Sequence, residues 1–397
     1  MKDVSKIASS VQASTTLTVD ALYKQMLADG EDVVGFGAGE PDFHTPEHIK
    51  EAAHKAIRNG HTKYTHSSGM PDLRKAVAER LMADCGIGYA PGQIVVASGA
   101  KHSIYVAMRT LVNPGDEVIL PSPYWVTYAE VIKMVGGVPV IVSAGESDDF
   151  KITNKQLEAA ITGRTKLFVL NNPSNPTGML YNRNELQKLA EVCIGHDLYI
   201  MSDEIYYNLV YDGQKFTSVA ALGDEVKERT IIINGVSKTY AMTGWRIGYS
   251  ASNLHLAEIM GNYLSHSTSA PSTISQLAAI EALRGSQSSV IEMRDTFEKR
   301  RDYLVDRINR VDGVSCRKPD GAFYIMLNIE KLIGRTLGGK LISNSDDFSL
   351  AFLEKGKVAT VSCTGFGCDN FVRLTYASSM ENIEKGVDRL RQFIEEA

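Results

Sequence analysis

Long apolar runs are missing from this sequence. Nowhere do about 18 consecutive apolar residues occur, so no stretch reads as a membrane span, and the opening "MKDVSKIASSVQ" lacks the apolar segment of a secretory signal. Cytoplasmic residence is the expectation. Basic runs are equally scarce: the longest is the short patch "FEKRRD", and the net charge is −5. A nucleic acid or an anionic membrane would find no electrostatic footprint, which leaves small molecules as the expected partners. The five cysteines, Cys85, Cys193, Cys316, Cys363 and Cys368, show no Cys-x-x-Cys or Cys/His spacing, so no metal site is expected and buried thiols are the plain reading. Cys363 and Cys368 lie near the site argued below, which leaves oxidation there as an open alternative. No GxxxxGK[ST] occurs. "GFGAGEPDF" fails as a dinucleotide loop, because Glu40 takes the third glycine position and Pro41 follows where a helix should open.

What is present is ordinary for an α/β protein: 397 residues, 44% apolar and 22% charged, enough for roughly two or three domains. From about residue 46 the text alternates helical and strand-like segments. "PEHIKEAAHKAIRNG" and "MPDLRKAVAERLMADCG" open with proline and close with glycine as helices do, and short apolar runs follow them. That order argues a mostly parallel sheet covered on both faces, over residues 46–285. Residues 286–397 read as a smaller α+β unit, joined by the segment 1–45.

Each apolar run of the first unit ends in a segment dense with functional groups: SGAK, SPYW, NNPSNPTG, SDEIY and SKT. Strands of a parallel sheet share one carboxyl edge, so these five loops should converge on one crevice. Lys238, directly after "TIIINGVS", would there be partly desolvated, with a lowered pKa and nucleophilic character toward aldehydes. Arg246 and Ser237, with the backbone N–H groups of SGAK, suit a phosphate dianion. Asp203 serves either as a helix N-cap or as a buried carboxylate facing a protonated ring nitrogen, and Tyr206 reaches the same ligand. Asn175 is a stiff amide between two prolines, and Trp125 is either core or a stacking surface for a flat cofactor. In "NFVRLTYA", Arg373 either points to solvent from an edge strand or clamps a carboxylate.

Taken together, SGAK, SPYW, NPSNPTG, SDEIYY, SKTYAMTGWRIGY and FVRLTYA resemble the fold-type I aminotransferases that use pyridoxal phosphate, with "GEPDFHTP" and "TKYTHSSGMPDLR" extending the likeness along nearly the whole chain. The resemblance is greatest to the bacterial aspartate aminotransferase branch. It implies a large domain with a mostly parallel seven-stranded sheet between helices, plus a smaller α+β domain. Lys238 would then form the Schiff base and act as general base. Asp203 would keep the pyridine nitrogen protonated, Tyr206 and Asn175 would bond the phenolic oxygen, and Trp125 would stack on the ring. The phosphate would sit on Gly99, Ala100, Lys101, Ser237 and Arg246, with Tyr64 reaching in from a second subunit of a homodimer.

Arg373, helped by Asn175 and the backbone of Gly39, would hold the substrate α-carboxylate. Lys101 would also face the distal carboxylate of aspartate or glutamate, with 2-oxoglutarate as acceptor. Gln12 stands where members that also accept prephenate carry a basic residue, which argues against that activity. "VSCTGFG" replaces the usual Val-x-Pro-Gly lid. The alternatives are an aminotransferase for aromatic or other neutral amino acids, a lyase on the same scaffold, and a cofactor-binding regulatory module.

Overall fold

A computed structural model describes residues 2–11 and 16–396. Gln12 lies outside the described residues. Strand β1 (Val34–Gly35) is followed by seven strands that form one sheet: β2 (Ile94–Ala97), β3 (Glu117–Ser122), β4 (Val138–Ser143), β5 (Thr165–Asn171), β6 (Tyr199–Asp203), β7 (Thr230–Gly235) and β8 (Gly248–Ala251). Their order is β2-β8-β7-β6-β5-β3-β4. Only β8 is antiparallel to its neighbours, because "VSKTYAMTGWRI" returns the chain directly instead of through a crossover helix.

Both faces of this sheet are covered except along its edge strand β4, and burial on both faces explains why the inner strands read as unbroken apolar runs. Val95, Leu167, Val169, Met201 and Ile231 pack toward the helices Ala100–Leu111 and Leu254–Ser265. Phe168, Leu170 and Ile200 face the helix Arg183–Gly195. Ile94, Val96 and Ile232 meet the helices Glu47–Arg58, Pro71–Cys85 and Thr273–Arg284. The proline and glycine signals are met: Pro71 opens its helix, and Gly86 closes it in the left-handed region at φ 69°.

A second sheet is built from β9 (Ser315–Cys316) and β10 (Tyr324–Asn328) with later strands. After the small hairpin β11 (Thr336–Leu337) and β12 (Lys340–Leu341) come β13 (Val358–Ala359), β14 (Val361–Ser362) and β15 (Phe371–Thr375). The order is β14-β15-β10-β9, all antiparallel. The helices Ser288–Ile308 and Met380–Glu395 share its apolar core through Phe297, Leu304, Val387 and Leu390. β1 pairs in parallel with β13, and Asp32 just before it is held by Lys385 and Arg389 of the last helix.

β15 corrects the edge-strand alternative for "NFVRLTYA". It is interior to its sheet and buried along its whole length, and Arg373 is only 6% exposed. Period-two alternation is therefore not a sign of solvent here: one face meets the apolar core and the other, carrying Arg373, meets a cavity.

Candidate active site

The carboxyl ends of the parallel strands and the Arg373 face of the second sheet enclose a cavity of about 1170 Å³. SGAK, SPYW, SDEIY and SKT all reach it, as do Asn171 and Asn175. Strand ends of one sheet share an edge, so the convergence argued from sequence holds.

Asp203, the last residue of β6, is fully buried on the face that carries Met201. Tyr128 Oη donates to its Oδ2 at 2.7 Å and the Ile205 N–H to its Oδ1 at 3.1 Å. No helix follows, so the N-cap reading does not apply. Burial pushes the carboxyl up to about 6 against the pull of these two donors and of Lys238. A carboxylate desolvated to this degree and open to a cavity is matched to a cationic proton donor.

Lys238 stands after β7 and directs Nζ to the Gly39 carbonyl oxygen at 2.5 Å. Desolvation lowers its pKa to about 8; Glu40 opposes the shift, and Arg373 and Arg246 add to it. Near neutral pH a useful fraction of this amine is unprotonated, as a nucleophile requires.

The anion cradle is shaped by glycine. Gly99 caps the helix Ala100–Leu111 at φ 87°, and a Cβ there would lie 2.2 Å from Arg246 Nη2. The guanidinium thus rests on the helix entrance, donating to the carbonyl oxygens of Thr243 and Ser98 at 2.7 and 3.4 Å. Arg246 itself is left-handed at φ 57°, two residues before the first of β8. Ser237 lines the same end, and the first N–H groups of a helix face an anion by construction.

On the other side, Arg373 Nη1 donates to Asn175 Oδ1 at 3.0 Å and Nη2 to the Gly37 carbonyl at 3.1 Å. The backbone partner of Arg373 is thus Gly37, while the Gly39 carbonyl takes Lys238. Asn175 is fixed in turn by Asn171 Oδ1 at 2.7 Å, and Asn171 Nδ2 donates to the Asp203 carbonyl at 3.0 Å. One hydrogen-bonded chain therefore joins the Asp203 strand end to Arg373. Lys101 Nζ lies 5.0 Å from the centre of the Trp125 ring; its pKa is lowered by desolvation first and by Arg246 second.

Such a cavity offers an imine-forming amine, a buried carboxylate, an anion cradle and a carboxylate clamp. A profile of aminotransferase class I and II matches residues 31–390. The chain belongs to the class I and II aminotransferases. An aspartate aminotransferase of Geobacillus stearothermophilus is 46% identical over 392 residues, 99% of each chain. The crystal structure of the Rhizobium meliloti aspartate aminotransferase matches with TM-score 0.96 at 40% identity, covering 100% of this chain and 99% of that one. The Thermus thermophilus enzyme with maleate gives 0.93 at 36% identity, covering 99% and 100%.

This aminotransferase is pyridoxal-phosphate dependent, and its residues fit the cofactor: the Gly99 cradle beneath Arg246 suits the phosphate, and the buried Asp203 carboxylate at the cavity wall suits a pyridinium. Among the described residues no group of three or more His, Cys, Asp or Glu converges on a metal site, and no helix is long and apolar enough to cross a membrane. Tyr64 is fully exposed and does not line its own chain's cavity.

The "VSCTGFG" segment closes as a tight turn. The Cys368 N–H bonds the Cys363 carbonyl at 3.0 Å, with Gly367 at φ 80°, and the Ser122 hydroxyl holds the Gly367 carbonyl at 2.9 Å. Phe366 thereby places its ring 5.4 Å from the Arg373 guanidinium. Sequence reasoning missed Tyr128 and Tyr324. Tyr128 lies in the first turn of the helix Thr127–Met134, with its ring edge to face against Trp125 at 5.5 Å, but its hydrogen-bond partner lies 75 positions away.

Proposed function

We propose that this aminotransferase moves the amino group of L-aspartate to 2-oxoglutarate in two half-reactions through one cavity. The observation that carries this reading is the presence of two cations of different kinds in that cavity: the buried, braced Arg373 guanidinium and the Lys101 ammonium beside Trp125. A planar guanidinium suits the α-carboxylate, and an ammonium on a flexible stem suits a second carboxylate beyond it. The Geobacillus relative's name and the maleate of the Thermus relative, a four-carbon dicarboxylate, support that preference.

Pyridoxal phosphate supplies, when bound, an aldehyde that condenses with amines and a ring that accepts the electron pair released at the substrate Cα. Lys238 is the amine that holds it and, once displaced, the base that takes the Cα proton on Nζ. Asp203 keeps the ring nitrogen protonated. Tyr206 and Asn175 bond the phenolic oxygen, and Trp125 covers the ring. Ser237, Arg246 and the backbone of Gly99, Ala100 and Lys101 hold the phosphate, completed by Tyr64 of a second copy in a homodimer. The cytoplasm is the expected location. Residues 46–285 form the cofactor-binding unit, and 1–45 with 286–397 the unit that carries Arg373.

Replacing Lys101 by Ser tests the substrate. Turnover of aspartate at low concentration should fall by about tenfold or more, the worth of one charged hydrogen bond, while that of phenylalanine changes little. An equal fall for both would favour a neutral-donor aminotransferase, and ammonia or pyruvate released without 2-oxoglutarate would favour a lyase.

A further inference from the structure

Tyr324 opens β10 and is fully buried, yet it lines the cavity. Strand register explains where it points. Across β10 and β15, Tyr324 pairs with Thr375 and Met326 with Arg373, so Tyr324 and Arg373 are diagonal neighbours on one face. The guanidinium carbon accordingly lies 4.4 Å from the Tyr324 ring centre. The Tyr324 hydroxyl is 3.0 Å from the Tyr206 hydroxyl, and the two rings meet edge to face at 5.8 Å. A Cβ on Gly39 would sit 3.6 Å from the same oxygen, beside the carbonyl that receives Lys238.

We infer that Tyr324 is a positioning residue with two separable tasks: its hydroxyl donates to Tyr206 Oη, and its ring backs the Arg373 guanidinium. The inference rests on the reading that Tyr206 donates its own proton to the cofactor's phenolic oxygen. A hydroxyl has one proton; if Tyr206 spends it on the cofactor, the proton in the Tyr206–Tyr324 bond must come from Tyr324. Donation into Tyr206 Oη polarises that group and strengthens its own hydrogen bond. Stronger donation favours the unprotonated form of the lysine–cofactor linkage, so the Tyr324 hydroxyl lowers the pH of its colour transition. The ring acts elsewhere. It gives Arg373 an aromatic face and, with Phe366 on the guanidinium as well, limits the rotamers open to the clamp.

The holoenzyme separates the two tasks. Tyr324→Phe keeps the ring and removes the hydroxyl: the visible acid–alkaline transition should move up by about half a pH unit, about threefold in the proton affinity, with KM for aspartate unchanged within about twofold. Tyr324→Leu removes both, so the same spectral shift should appear together with a KM raised by about fivefold or more. No spectral shift in Tyr324→Phe, where Tyr206→Phe does shift, overturns the hydroxyl role alone. No shift in Tyr206→Phe overturns the reading of Tyr206 and the Tyr324 relay with it. A KM raised equally in both Tyr324 variants overturns the ring's role.

Discussion

Glu204 shows how much one residue's register decides. It follows Asp203 at the end of β6 and so falls on the opposite face, where the hydroxyls of Ser202 and Ser218 donate to its Oε1 at 2.9 and 2.6 Å and its Oε2 has no partner. Burial first, and the Asp203 charge besides, raise this carboxyl from 4.5 to about 7. Its proton is therefore held in the folded chain at pH values where an unfolded chain has lost it. The stability this contributes is complete below 4.5 and drains away as pH rises to about 7, in all about 3 kcal/mol. Glu204→Gln keeps an acceptor for both serines and cannot ionise. Its urea midpoint should stay nearly level from pH 5 to 8 while that of the parent falls; parallel curves would refute a buried neutral acid. The thiols of the turn also yield to burial. Burial pushes Cys368 up to about 12 and raises Cys363 well above the ordinary thiol value, which disfavours the reactive thiolate at both.

At the level of elements, the strand ends were legible in the sequence because each apolar run stops where polar chemistry begins. Lys238, Asp203 and the SGAK turn needed no tertiary information. The partners of those residues did: Tyr128 and Tyr324 reach Asp203 and Tyr206 across 75 and 118 positions, and no local pattern encodes such a meeting. The basic patch "FEKRRD" hides another such meeting: Arg301 is fully buried, with Nη1 and Nη2 bonded to Asp212, 89 positions away, at 2.8 and 2.9 Å. Gly99 is the residue through which an element's entrance becomes a binding site. Gly99→Ala should cost about 1–2 kcal/mol for the left-handed backbone and displace Arg246, so that affinity for pyridoxal phosphate, read by spectral titration, falls by about tenfold or more. Unchanged affinity in a stably folded variant would remove Arg246 from the phosphate site.

At the scale of the molecule, Tyr64 is fully exposed and, among the described residues, is not part of the lining of its own chain's cavity. The proposed homodimer with shared sites makes a definite arithmetic. Chains carrying Lys238→Ala and chains carrying Tyr64→Ala should each be impaired, but a mixed dimer would restore one site with both residues intact. Unfolding and refolding an equimolar mixture should thus recover activity well above that of either parent; no recovery would place Tyr64 outside the partner's site. The seven-stranded sheet was legible as an alternation of helical and strand-like segments, whereas the pairing of β1 with β13 was visible only as an expected joining of the first segment to the last.

That joining has its own reach. Gly37 and Gly39, which hold Arg373 and Lys238 by their carbonyls, hang from a strand whose root, Asp32, is gripped by Lys385 and Arg389 of the final helix. The tail of the chain is thus a tether for its catalytic floor, and loosening the tail slackens both cations at once.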